Sequence, residues 1–273
     1  MKRRSVLVAL FIASSIYANG ISWHTDASKA LAEAAKKNTI VMIDAYTDWC
    51  GWCKELDKKT YTDAKVIALA KEFVSLKVNP EKGGKNADFL SRYRVEGFPT
   101  ILFVDAHGAL IYVIGGFAGP KEFATKMADV LTIQERYLAL AQSYAKGDRK
   151  DAAEYLDMLV SRGDITKALS VFNVLSGANV IAKEKRGTYY IAFGSHFGEA
   201  KEYAMALPWF EKAEKEYPRT DVGYQGIFFR AITLGNMKKI KECDALLSKV
   251  ISDKGTSKEW RTRFEGLLKE GQR

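Results

Sequence analysis

The spacing of apolar positions divides the chain into two regimes. Up to about residue 131, short apolar runs alternate with helix-spaced patterns; beyond it only helical spacing remains. Residues 28–37 place alanines and Leu31 at helical spacing, with Asp26 or Ser28 as the cap. Residues 40–46 form an apolar run broken by one acid, Asp44, and read as a buried strand. Two amphipathic helices follow, 54–61 and 63–72, then a second strand at 73–78 that ends in Asn79-Pro80. A loop at 82–85, a short helix at 87–93 and a turn at 95–99 lead to a third strand, 100–104. Ala106-His107-Gly108 turns the chain into a fourth strand, 110–114; Gly115-Gly116 breaks it, and a helix at 120–131 closes the unit. The predicted order is α, β, α, α, β, α, β, β, α.

Composition adds the outer limits. With 273 residues the chain is long enough for two cores, and 47% hydrophobic with 27% charged residues is ordinary globular usage. The formal net charge is +9. Three of those charges are Lys2, Arg3 and Arg4, followed by an apolar run to Ile16 and small residues at Ala18 and Gly20. That order predicts a secretory signal peptide over residues 1–20, cleaved after Ala18 or Gly20, and with it a periplasmic or secreted location. The run is short for a membrane span, and no cysteine follows it for lipid attachment. Most of the remaining positive surplus falls after residue 131, where a solvated helical surface accounts for it. No nucleic-acid motif is present.

The chemistry concentrates at Trp49-Cys50-Gly51-Trp52-Cys53. Of three cysteines, Cys50 and Cys53 are a natural pair and Cys243 is left over. A ring this small constrains the unfolded chain little, which argues for a reactive pair over a structural staple. A zinc site needs four ligands, and His24, His107, His196 and Cys243 show no ligand spacing, so no metal is expected.

The segment Trp49-Cys50-Gly51-Trp52-Cys53-Lys54 resembles the active-site motif of the thioredoxin superfamily, and Gly97-Phe98-Pro99-Thr100 resembles its cis-proline segment. Asp44, six residues before Cys50, falls where thioredoxins carry a buried acid, and Lys77 matches the lysine beside it. The likeness extends over residues 24–131 and is strongest to exported thioredoxin-like proteins, including the C-terminal domain of the periplasmic disulfide reductase. It departs from cytosolic thioredoxin in having Gly-Trp, not Gly-Pro, between the cysteines.

The resemblance implies a division of labour. Cys50, the exposed first cysteine at a helix start, is the nucleophile, its thiolate favoured by unpaired N–H groups. Cys53 is the resolving thiol, and Asp44 accepts its proton. A cis Phe98–Pro99 bond sets the Phe98 backbone against an incoming peptide, next to Gly97. Trp49, Gly51 and Trp52 form an exposed collar that contacts substrate, with Lys54 and Lys77 in support. No cofactor is needed beyond the Cys50–Cys53 disulfide. The expected partners are protein or peptide disulfides and an upstream thiol–disulfide electron donor.

Within the second regime, residues 187–220 resemble a tetratricopeptide unit. Tyr190, Phe193, Gly194, Phe197, Ala206, Phe210, Ala213 and Pro218 take its large, small and terminating positions. One repeat on, Tyr224, Ile227, Gly235 and Leu247 give a weaker match; upstream, Gly147-Asp148 and Gly163-Asp164 read as inter-helix turns. Trp260 and Phe264 pack a final helix, and Cys243 is a buried inert thiol. The expected fold is an α/β thioredoxin fold (21–131) followed by an all-α tetratricopeptide-like helical repeat domain (132–273).

The expected function is an exported thiol–disulfide oxidoreductase, a reductase or isomerase of protein disulfides, whose helical domain docks a client. Two alternatives stay open: a partner-binding scaffold in which the helical repeats dominate, and a disulfide-introducing oxidase.

Overall fold

The computed structural model describes residues 20–271 of the chain, so the leader expected over residues 1–20 lies outside the described residues apart from Gly20. The chain divides into two compact units between Gln134 and Glu135.

The first unit is built on a five-stranded sheet of β1 (Trp23–His24), β2 (Ile40–Ala45), β3 (Phe73–Val78), β4 (Thr100–Val104) and β5 (Leu110–Gly115). Their spatial order is β1-β3-β2-β4-β5. β3 runs parallel to both β1 and β2, whereas β4 is antiparallel to β2 and β5. Strand β2 lies inside the sheet and every one of its residues is buried. Alternation sends Ile40 and Met42 into one core and Val41, Ile43 and Ala45 into another. The continuous apolar run is thus a strand covered on both faces.

Helix α1 (Ala27–Lys37) starts where the Asp26 carboxylate accepts the Lys29 N–H at 3.0 Å, and stops at Asn38 in the left-handed region. Ala27, Ala30 and Ala34 form its buried stripe. Helix α2 (Gly51–Glu55) starts at Cys50 as expected and continues as a π-helical turn, Leu56–Thr60. Helix α3 (Ala64–Ala70) is capped by Asp63, which accepts from Lys65 and Val66. The expected loop at 82–85 is instead a 3-10 turn, Pro80–Lys82, running straight into α4 (Gly84–Ser91); Gly83 and Gly84 at positive φ make the join. Between β4 and β5, Gly108 turns the chain, and the Asp105 carboxylate accepts from His107 and Ala109 at 2.9 Å each.

The last helix of this unit does not stop at residue 131: α5 spans Pro120–Ala145. No Gly or Pro follows Leu131 until Gly147, so nothing local ends the helix earlier. Strand β1 was not expected, because two residues are too few for a periodicity.

The second unit is all-α among its described residues, continuing from α5 with α6 (Ala152–Ser161), α7 (Ile165–Gly177), α8 (Lys183–Glu199), α9 (Tyr203–Glu216), α10 (Asp221–Asn236), α11 (Ile240–Ser252) and α12 (Lys258–Gly271). Left-handed residues stand at the turns before α6, α7, α8, α9, α10 and α11: Gly147, Gly163, Asn179, Lys201, Arg219 and Lys238. Phe193, Ala206, Phe210 and Ala213 are fully buried, and Phe197 is half-buried. A Cβ on Gly194 would lie 2.5 Å from the Phe210 ring, so α8 and α9 touch where a side chain would separate them. In α10 the close approaches are at Gly223 and Gly226, whereas Gly235 faces open space. Gly226 sits against the Phe210 carbonyl and Ala213 of α9, whereas Gly235 lies at the far end of its helix. Trp260 and Phe264 of α12 stack at 5.7 Å and are buried. Cys243 is half-buried, not fully buried: its thiol donates to the Ala231 carbonyl at 3.4 Å, and burial pushes its pKa up.

Candidate active site

The loop after β2 delivers Cys50 to the start of α2. The Cys50 N–H donates to the Thr47 carbonyl at 3.2 Å, and Cys50 then takes the N-cap position. Its sulfur accepts the Cys53 N–H at 3.1 Å, one of the helix-start donors that have no intrahelical partner. One turn along α2, Cys53 closes a disulfide with it at an S–S distance of 2.07 Å.

The expectation of an exposed Cys50 is not met: Cys50 is 3% exposed and Cys53 5%. The Cys50 side chain turns inward to reach both Cys53 Sγ and the Cys53 N–H, and its bulky neighbours take the outer positions. Trp49 is 68% exposed and Trp52 61%. Each is seated against another ring. Trp49 meets Phe98 edge to face at 6.2 Å, and Trp52 lies against Phe117 at 5.5 Å. The Trp49 indole N–H also donates to Glu81 Oε1 at 2.8 Å. Gly51 and Lys54 are exposed on α2.

The Phe98–Pro99 peptide is cis. Pro99 is buried, Phe98 half-buried and Gly97 exposed. The segment is anchored to its surroundings by the Gly116 N–H, which donates to the Pro99 carbonyl at 2.8 Å, and by the Thr100 hydroxyl, which donates to the Gly97 carbonyl at 2.7 Å. Through the Trp49–Phe98 contact the structure joins the cysteine loop to this segment, although 49 residues of numbering separate the two rings.

Asp44 sits near the end of β2, 1% exposed, paired in register with Lys77 of β3. The Lys77 ammonium lies 3.4 Å from Asp44 Oδ2 and also pairs with Asp57, on the π-helical turn. Its Nζ stands 5.2 Å, 5.3 Å and 5.4 Å from the ring centroids of Trp23, Tyr46 and Tyr61, a cation surrounded by aromatic faces. Burial raises the Asp44 pKa to about 6; Lys77 opposes that rise and the Asp57 charge adds to it. A carboxyl in that range is mostly ionised at neutral pH yet close enough to it to take and return a proton.

The sequence-based site residues therefore fall into two connected groups: the disulfide with Trp49 and Phe98, and Asp44 with Lys77. Asp57, Tyr61, Glu81 and Phe117 were not expected. Asp57 could have been found, since it stands four residues after Cys53 on a helix and so shares its face. Glu81 and Phe117 meet the tryptophans only through the fold.

Residues 27–131 match the family model described as a thioredoxin-like domain. Among curated proteins, the thiol:disulfide interchange protein DsbD of Pseudoalteromonas atlantica is 32% identical over 109 residues, 39% of this chain and 18% of that protein. DsbD of Vibrio vulnificus is 44% identical over 80 residues, 29% of this chain and 13% of that protein. The chain thus spans less than a fifth of the length of these relatives. Among solved structures, the oxidised C-terminal domain of Neisseria meningitidis DsbD is 23% identical and aligns with 40% of this chain and 98% of its own, at a TM-score of 0.34. Residues 27–131 form a thioredoxin-like oxidoreductase domain, similar in sequence to part of DsbD, with Cys50 and Cys53 closed as its active-site disulfide.

Proposed function

We propose that the protein reduces or isomerises protein disulfides outside the cytoplasm, and that its helical unit docks the client. The observation that carries the chemistry is the Cys50–Cys53 disulfide at the start of α2, flanked by two exposed tryptophans. In the reduced protein the Cys50 thiolate attacks one sulfur of a client disulfide. The client S–S bond breaks, a Cys50–client disulfide forms, and the departing client sulfur takes a proton. Cys53 then gives its proton to Asp44 and attacks Cys50 Sγ. The mixed disulfide breaks, the client leaves with both sulfurs reduced, and the Cys50–Cys53 bond re-forms. A dithiol donor returns two electrons and two protons to reset the pair. In isomerisation the client's own freed thiol attacks elsewhere, and no net electrons are consumed.

Trp49, Trp52 and Phe98 offer an apolar, ring-lined approach to the sulfurs, suited to an extended peptide more than to a small hydrophilic disulfide. Export rests on the basic, apolar, small order of residues 2–20. A tetratricopeptide-like reading of the helical unit is supported by the glycine-mediated contacts of α8, α9 and α10. Stacked helix pairs of that kind present surfaces for protein segments.

The test is reduction of insulin by a dithiol with the purified protein as catalyst. Loss of turnover in Cys50→Ser and accumulation of mixed disulfides in Cys53→Ser are the expected results. Turnover that persists without Cys50 overturns the mechanism. The reduction potential separates directions: a value near about −270 mV belongs to a reductase and one near about −120 mV to an oxidase.

A further inference from the structure

Tyr61 is a buried titratable group that the exchange mechanism leaves unused. It follows the π-helical turn and is 4% exposed, with its ring 5.0 Å from Trp23 and 5.6 Å from Phe123. Its ring lies 5.4 Å from the Lys77 ammonium, which itself stands 3.4 Å from Asp44 Oδ2, and its hydroxyl acts on the Asp44 carboxyl. Among the described residues neither the Tyr61 hydroxyl nor Asp44 Oδ1 has a protein hydrogen-bond partner of ordinary geometry. Two buried polar atoms of opposite hydrogen-bonding character thus stand unsatisfied around one ammonium, an arrangement that proteins rarely retain without use.

The other groups facing Asp44 are accounted for. Lys77 of β3 approaches Oδ2, and Asp57 of the π-helical turn shares that ammonium. Lys77, Asp57 and Tyr61 are the titratable groups that act most strongly on this carboxyl. Lys77 takes Oδ2, so the unpartnered Oδ1 is the oxygen open to the phenol. A phenol donates and a carboxylate accepts, so the bond is strong only when Asp44 is ionised.

We propose that Tyr61 is a positioning residue for the resolving step: its hydroxyl donates to Asp44 Oδ1 and favours the carboxylate that takes the Cys53 proton. The inference rests on the proton-acceptor role given to Asp44 above. Tyr61 keeps its own proton throughout. Cys53 loses one to Asp44, and the sulfur–sulfur bonds exchange as already described.

Tyr61→Phe removes the hydroxyl and keeps the ring contacts. The direct readout is a carbon NMR titration of the Asp44 carboxyl in the reduced full-length protein. Its midpoint is expected to rise by about one pH unit in Tyr61→Phe, the loss of one hydrogen bond to a charged acceptor. Superimposable titrations overturn the proposal. The kinetic readout is the rate of mixed-disulfide release against pH: its acid limb moves up by the same interval, with KM for insulin unchanged. A raised KM with an unmoved acid limb indicates a packing role and also overturns it. If Tyr61→Phe does not fold, 3-fluorotyrosine at position 61, a stronger donor, lowers the Asp44 midpoint instead, and an unmoved midpoint counts against the bond. If the protein turns over no disulfide at all, the reductase reading fails, while the carboxyl titration still decides the role of Tyr61.

Discussion

The indole of Trp49 meets the ring of Phe98 edge to face, at 82° between planes and 6.2 Å between centroids. One residue precedes the first cysteine and the other precedes the cis proline, so this pair ties the two halves of the active site together. Trp49 is also the more exposed of the two tryptophans, and its only described polar contact is Glu81. Trp49→Ala is expected to raise KM for a protein disulfide about tenfold, which corresponds to ~1.4 kcal/mol of lost aromatic contact. The rate with a small aromatic disulfide changes less than threefold. Equal effects on both substrates in steady-state assays refute a client-contact role.

Glu81 holds that indole in place. Glu81→Ala removes the only carboxylate that accepts from Trp49 Nε1, while Glu81→Gln keeps an acceptor at the same reach. The alanine variant is expected to shift Trp49 fluorescence and to raise KM less than Trp49→Ala does. The glutamine variant restores both. Because Glu81 is exposed, its loss changes stability by no more than ~0.5 kcal/mol, read from urea unfolding.

Asp44 gives a pH dependence whose sign follows from its burial. Its pKa is about 6 in the fold, against roughly 3.9 in an unfolded chain. The folded state binds this proton more tightly, so the ionised group costs stability above pH 6, and the cost fades as pH falls towards 4. Asp44→Asn is expected to stabilise the protein by about 2–3 kcal/mol at pH 8 and by little at pH 4, with Lys77 retaining Asp57 as partner. The same variant slows release of the mixed disulfide. Denaturation curves at the two pH values and quenched-flow trapping check the two halves of the prediction.

The helical unit makes its own prediction at Gly194. A side chain there meets the Phe210 ring at 2.5 Å. Gly194→Val is expected to cost about 1–3 kcal/mol through overpacking. Gly235, which faces open space within α10, is the control: Gly235→Ala is neutral or stabilising by ~0.5 kcal/mol. If the helical unit docks clients, Gly194→Val lowers mixed-disulfide capture by Cys53→Ser while small-disulfide exchange continues. Unchanged capture after loss of helical structure, followed by circular dichroism, removes docking from its role.

By itself the sequence determined the elements whose signals are local. The buried strand at residues 40–45, the hairpin through Gly108, the Cys50–Cys53 pairing and the acid inside an apolar run are all written in neighbouring residues. The first two helical turns were legible for the same reason, since glycine marks Gly147 and Gly163. The later left-handed turns at Lys201, Arg219 and Lys238 were not, because those residue types carry no turn signal. Tertiary structure decided what lies between distant segments: that Cys50 is buried while Trp49 and Trp52 are exposed, that Glu81 holds one indole, and that Tyr61 and Asp44 both lie against Lys77. Periodicity reports which side of an element turns inward, but not which residue of another element it meets. Here the meeting of β2, β3 and the turn after α2 places a carboxyl, a lysine and a phenol together, and desolvation there gives Asp44 its raised pKa.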